Sequence, residues 1–202
     1  MLLPALRHRK LILASSSPRR AELLRAAGFE FAMMSSRVDE AIVPGETARA
    51  HVERLARAKA AAVVARLPKQ ARALVLGADT VVVVDGEILG KPQSREDARR
   101  MLSLLSGREH EVVTALALGD LVYGKQMVRQ AASRVVFLKL SDAEIEEYLD
   151  SGEPFDKAGA YAVQGLAACF VSRIEGSYSN VVGLPISMLY EMLRECEGPA
   201  GS

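Results

Sequence analysis

Half of the 202 residues are apolar, enough to bury a core in one sizeable domain or in two small lobes. With 26 Lys and Arg against 25 Asp and Glu, the chain has neither the basic field that holds nucleic acid nor an acidic tail, so any anion site must be built locally. Cys169 and Cys196 make neither a disulfide framework nor a zinc spacing, and suggest a reducing compartment. No apolar run approaches the roughly 20 residues that cross a bilayer, and MLLPALRHRK runs from apolar to charged, the reverse of a secretory signal. The expected location is the cytoplasm, with no membrane partner.

Short β-rich runs alternate with amphipathic stretches, the pattern of an α/β domain. LILA at 11–14 is the first strand. Ser17 before Pro18 marks a helix start, and the helix continues to Gly28. FEFAMM is the next strand. Residues 46–66 form an Ala-rich helix with Val52, Leu55, Ala56, Ala62 and Val63 on one side. ALVLGADTVVVV is a strand in which Gly77 is a candidate interruption, and Asp85-Gly86 turns it back through EIL. Ser94 with Asp97, and Ser141 with Glu144, are capping-box signatures for two helices ending near Gly107 and Gly152. Between these helices lie β runs at about 110–118 and 128–139. PFDKAGAYAVQG is too rich in turn residues to be regular, LAACFVSRI reads as a late strand, and PISMLYEMLREC as a final helix.

Two places in this order can carry chemistry. SSSPRR at 15–20 lies where a strand turns into a helix, so serine hydroxyls, backbone N–H groups and two guanidiniums can meet an anion there; a plain helix cap with two solvated arginines accounts for it equally. GADT at 77–80 puts Asp79 inside an apolar strand, an expensive position for a carboxylate unless it meets a cation, a metal or a donor. Bonding to backbone at a bulge beside Gly77 is the structural alternative. Glu40, in the loop sequence VDE, adds a second carboxylate, and one or two carboxylates with substrate phosphates is a common way to hold Mg²⁺. Lys91 in GKP, Lys157 in DKAGAY and Lys59 in the Ala-rich helix are candidate phosphate-binding point charges, each of which alone reads as solvated surface. His8, His51 and His110 lack ligand spacing, and Walker A, GxGxxG, HExxH and GxSxG patterns do not occur.

ASSSPRRAELL, VDE, GADTVV, LGKP, DKAGAYAVQG and IEGSYSNVVGLP together resemble the Maf family of nucleotide pyrophosphatases, in order and approximate spacing over about residues 10–195. The resemblance implies an elongated mixed β-sheet with flanking helices and two lobes around a cleft, similar to the inosine triphosphate pyrophosphatases. It implies one domain at 10–196 after an N-terminal extension at 1–9, and EGPAGS at 197–202, beyond the final helix, reads as a frayed tail. It further implies a divalent metal, Mg²⁺ or Mn²⁺, and a homodimer.

Asp79 matches the family's catalytic acidic residue, the proton acceptor for the attacking water, with Glu40 as its metal partner; Ser15, Arg20, Lys59, Lys91 and Lys157 match positions around the triphosphate. Arg19, Thr80 and Gln164 match the base-selecting positions of the thymidine and uridine triphosphate branch. DKAGAYAVQG is that branch's form; the 7-methylguanosine triphosphate branch has an acidic residue where this chain has Gln164. The chain departs from the common pattern at Ser177, where aspartate is frequent, and in having three serines before Pro18. The implied reaction is release of pyrophosphate from a pyrimidine nucleoside triphosphate. A 7-methylguanosine triphosphate specificity and a non-catalytic regulator of septum formation are the alternatives.

Overall fold

A computed structural model of the chain describes residues 3–196; the tail expected at 197–202 lies outside the described residues. After a 3₁₀ turn at Pro4–Leu6, strand β1 (Lys10–Leu13) leads to helix α1 (Pro18–Ala26) and strand β2 (Phe31–Met33). A loop then enters helix α2 (Ala48–Val64), which returns to the long strand β3 (Ala73–Val84). Strand β4 (Glu87–Leu89), helix α3 (Arg95–Leu105), strands β5 (Glu109–Asp120) and β6 (Lys125–Phe137) and helix α4 (Asp142–Asp150) follow. Three 3₁₀ turns, strand β7 (Val171–Glu175) and helices α5 (Tyr178–Val182) and α6 (Ile186–Glu195) complete the described chain.

The strands form a seven-stranded sheet in the order β2-β1-β3-β5-β6-β7, with β4 pairing β3. β1 runs parallel to both β2 and β3, while β4 is antiparallel to β3 and β7 to β6, so the sheet is mixed. Asp85 and Gly86 both take positive φ, 49° and 82°, as the tight β3–β4 hairpin demands. The chain divides into two compact units: residues 1–79, 114–131 and 183–202 in the first, 80–113 and 132–182 in the second. The first unit's core gathers Leu11, Leu13, Leu24, Leu74, Leu76, Leu116 and Leu193. The second unit's core gathers Leu89, Leu102, Leu105, Val112, Phe137, Ile145 and Leu149.

Several local readings need correction. The N-terminal segment is built into the first core: Leu3 and Ala5 are buried, and Arg9 donates to the carbonyls of Ala5 and Cys196 and pairs with Asp120. Ser17 occupies the N-cap position of α1 without a side-chain cap bond; instead its own N–H donates to Ser15 Oγ at 3.1 Å. The Ser141–Glu144 box forms in full, whereas at Ser94 only half does, because the Asp97 carboxylate accepts from Gln93 N–H. LAACF is a 3₁₀ segment, Leu166–Phe170, rather than strand, and pairing with β6 runs through Val171, Arg173, Ile174 and Glu175, with a bulge at Ser172. Gly77 does not interrupt β3, and it brings the strand close to a helix, as described next.

Candidate active site

The buried residues of α2 are His51 and then Val52, Leu55, Ala56, Lys59, Ala60 and Val63, whose spacing of three and four along one face puts a lysine in a core position. Ala62, expected on that face, is displaced from it by this register. Gly77 lies opposite: a Cβ there would stand 2.1 Å from Ala56 O and 2.7 Å from Ala60 N. The absent side chain lets helix and strand approach, and Asp79, two residues on, shares Gly77's side of the strand. Lys59 Nζ then donates to Asp79 Oδ1 at 2.7 Å, with both residues 6% exposed. Either charge buried alone would cost several kcal/mol, about 3–5 when one partner of such a pair is removed, and pairing offsets that penalty.

The same ammonium meets Glu40 Oε1 at 2.5 Å, so two carboxylates converge on one point. Arg20 enters from α1. Its Nε donates to Gly183 O at 2.9 Å, and its Nη1 to Ala78 O at 2.9 Å and Ser15 Oγ at 3.3 Å, which fixes the guanidinium partly through the carbonyl of the residue before Asp79. Burial lowers the Arg20 pKa, Asp79 and Glu40 oppose that, and Arg19 adds to the lowering; a guanidinium stays protonated throughout. Arg54, also on α2, has its pKa raised mainly by its bond to Glu46, with smaller contributions from Asp79 and Asp39.

The first unit thus brings Ser15, Arg20, Glu40, Lys59 and Asp79 together, with Arg19 close enough to act electrostatically on Arg20. Thr80, half-buried, follows Asp79 on the opposite side of β3. Lys91, Lys157 and Gln164 belong to the second unit. There the Gly159 N–H donates to Gly90 O at 3.0 Å, joining the GKP and DKAGAY loops. Lys91 is exposed; Lys157 donates to Glu153 O at 3.0 Å and pairs with Asp156. Gln164 is exposed in a loop ordered by Glu153, whose carboxylate accepts from Leu166 N–H at 3.0 Å and Tyr148 O–H at 2.8 Å.

Sequence reasoning missed Glu153, Glu46 and Arg54, all of which order loops rather than line the pair itself. His110, set aside in the sequence for lack of ligand spacing, is a core residue. Strand alternation in EHEVV turns it inward, 2.8 Å from Tyr161 O–H and edge-on to Phe137, and burial pushes its pKa down to about 4. At neutral pH it is an uncharged core imidazole. Among the described residues no group of three or more His, Cys, Asp or Glu side chains is placed to hold a metal, and no helix is long and apolar enough to cross a membrane.

Fold and site define an α/β protein with a buried carboxylate ringed by fixed ammonium and guanidinium groups. The Maf-like protein family model matches residues 10–196, and the chain belongs to that family. It is 51% identical over 187 residues to a dTTP/UTP pyrophosphatase of Hahella chejuensis, covering 93% of this chain and 92% of that one. To the dTTP/UTP pyrophosphatase of Geotalea uraniireducens it is 53% identical over 184 residues, covering 91% and 93%. The solved structure of the Staphylococcus aureus Ham1 protein shares the fold, with a TM-score of 0.52 at 14% identity over 93% of this chain and 99% of that one.

Proposed function

We propose that the chain hydrolyses dTTP and UTP to the monophosphate and pyrophosphate, with Asp79 orienting and deprotonating the water that attacks the α-phosphorus. The observation that carries this reading is Asp79 itself: a carboxylate in a buried strand, hydrogen-bonded by Lys59 and sharing that ammonium with Glu40. The names of relatives about half identical over more than nine-tenths of the chain support the substrate.

The donor set fits a hard divalent cation. Two carboxylates converge on one cationic point, and no third acidic or imidazole side chain joins them among the described residues, so the remaining ligands would be phosphate oxygens and water. Glu40 and Asp79 would hold it, as Mg²⁺ or Mn²⁺, and bound there it would neutralise charge on the triphosphate. Lys59 and Arg20 add fixed positive charge beside the reacting phosphate, and Ser15, Lys91 and Lys157 are proposed phosphate-binding positions. Phosphoryl chemistry depends chiefly on such placement and neutralisation, which suits a site where Arg20 is held by backbone carbonyls and Lys59 by two carboxylates. If Glu40 is a ligand, Glu40→Gln raises the metal concentration for half-maximal rate by roughly tenfold or more. An unchanged requirement removes Glu40 from the metal site.

Arg19, Thr80 and Gln164 are the proposed base-reading positions. The Gln164 amide can donate to O4 and accept from N3–H of uracil or thymine, yet flipped it also matches cytosine. Arg19 only donates, so it favours a carbonyl edge over cytosine's exocyclic amine. The thymine methyl is worth only about 1–3 kcal/mol, which leaves both dTTP and UTP as substrates. We place the protein in the cytoplasm, on its cysteine usage, and as a homodimer, on the family resemblance. The test is kcat/KM for dTTP, UTP, CTP and 7-methyl-GTP with pyrophosphate as the readout. The first two should exceed the others by about tenfold or more. A best rate with CTP or 7-methyl-GTP overturns the base assignment, and absence of pyrophosphate from all four overturns hydrolysis in favour of a regulator.

A further inference from the structure

Glu40 sits in a loop with no regular structure, its side chain 43% exposed, yet it reaches Lys59 at 2.5 Å. The loop's order comes from α2. Arg54 presents its fork to Glu46, with Nε at 2.7 Å from Oε1 and Nη2 at 2.8 Å from Oε2, and the Nη2 group also donates to Ala41 O at 3.0 Å. Ala41 is the residue after Glu40, and its N–H donates to Asp39 Oδ1 at 3.0 Å, so both peptide groups of Ala41 are tied. The loop closes on itself where Glu46 N–H donates to Val43 O at 3.0 Å, and Thr47 caps α2 by accepting from Ala50 N–H. The Glu46 side chain is 9% exposed and packs with the buried His51, whose Nδ1 lies 3.1 Å from Oε2. This arrangement is a bidentate ion pair set into the first turns of the helix that carries Lys59 five residues further on.

We propose that Arg54, locked by Glu46, is a positioning residue that holds the 39–46 loop so that Glu40 meets Lys59 and Asp79. The proposal rests on the reading of Glu40 as a metal-holding carboxylate. Arg54 acts through shape as well as charge: its planar fork serves both Glu46 oxygens and the Ala41 carbonyl at once, which a lysine ammonium on a flexible stem does not reproduce. A second-layer group of this kind commonly controls metal affinity by about 10–100-fold when it is lost.

The experiment compares Arg54→Met, Arg54→Lys, Glu46→Gln, Glu40→Gln and the Arg54→Met/Glu40→Gln double variant. Two readouts are taken: the Mn²⁺ concentration for half-maximal dTTP hydrolysis, and amide hydrogen exchange of nucleotide-free protein. Arg54→Met and Glu46→Gln each raise the Mn²⁺ requirement about tenfold or more, Arg54→Lys does not restore it, and Arg54→Met adds little once Glu40 is Gln. Exchange rises at residues 41–46 in Arg54→Met while β3 amides keep their protection. The proposal is overturned if exchange at 41–46 is unchanged, if Arg54→Lys behaves as wild type, or if the two substitutions add in full. A Glu40→Gln variant with an unchanged Mn²⁺ requirement instead sinks the ligand reading of Glu40, whatever the exchange at 41–46 shows.

Discussion

Asp79→Asn is expected to lower turnover of dTTP at least about 100-fold, the low end for loss of a positioned base, while leaving a folded protein. The two halves of that expectation come from different atoms. An amide oxygen in place of Oδ1 still accepts from Lys59, and Glu40 remains on the same ammonium, so the buried lysine keeps a partner and a counter-charge. What disappears is the anionic oxygen that takes a proton from water and the negative charge that draws a cation to the middle of β3. Asn is therefore more informative than Ala, which would leave Lys59 short of an acceptor and mix stability with chemistry. The measurement is kcat at saturating dTTP and metal, with a melting curve on the same preparation. Turnover within a few-fold of wild type in a folded Asp79→Asn protein would end the assignment of Asp79 as the base.

The fold was legible because its strands and helices announce themselves by period. β3 reads as two apolar runs joined through GADT and is buried on both faces; α3 and α4 begin at the serines that cap them. The LAACF segment misled because its small and apolar residues suit a buried strand as well as a 3₁₀ turn, and the ladder with β6 begins only at Val171. At the site, Asp79 stood out because a carboxylate in an apolar strand demands an explanation. Lys59 was legible in principle: positions 52, 55, 56, 59, 60 and 63 are one helical face, and a lysine completing such a face is bound for the interior. Arg54 and Glu46 carried no such mark. They are two charged residues among many, eight apart in sequence, and their pairing depends on how the 41–46 loop folds back along α2, a tertiary fact. The same holds for Glu153, whose carboxylate gathers amides thirteen and fourteen residues away.

Gly77→Ala is expected to be costly in both stability and activity, because one missing methyl group sets the distance between the two elements that carry Lys59 and Asp79. An added Cβ would lie 2.1 Å from Ala56 O, 2.7 Å from Ala60 N and 3.1 Å from Ala60 Cβ. The first two obstacles are helix backbone, which cannot rotate away, so α2 must retreat by roughly an ångström to restore ordinary contact distances. Overpacking of this kind costs about 1–3 kcal/mol and occasionally more, and the rigid obstacles argue for the upper end; the usual gain of under about 1 kcal/mol from stiffening the unfolded chain at a glycine does not cover it. Lys59 lies between Ala56 and Ala60, so the retreat also lengthens the 2.7 Å bond to Asp79. A misplacement of about 1 Å can lower a rate about 100-fold. Gly119→Ala is the control: its Cβ would meet Val64 Cγ2 at 3.6 Å, ordinary contact, and both stability and turnover should stay near wild type. Urea unfolding midpoints and kcat for the two variants, measured below the melting temperature of the weaker one, decide the matter. If Gly77→Ala matches Gly119→Ala in both, the close approach of α2 to β3 does not set the Lys59–Asp79 geometry.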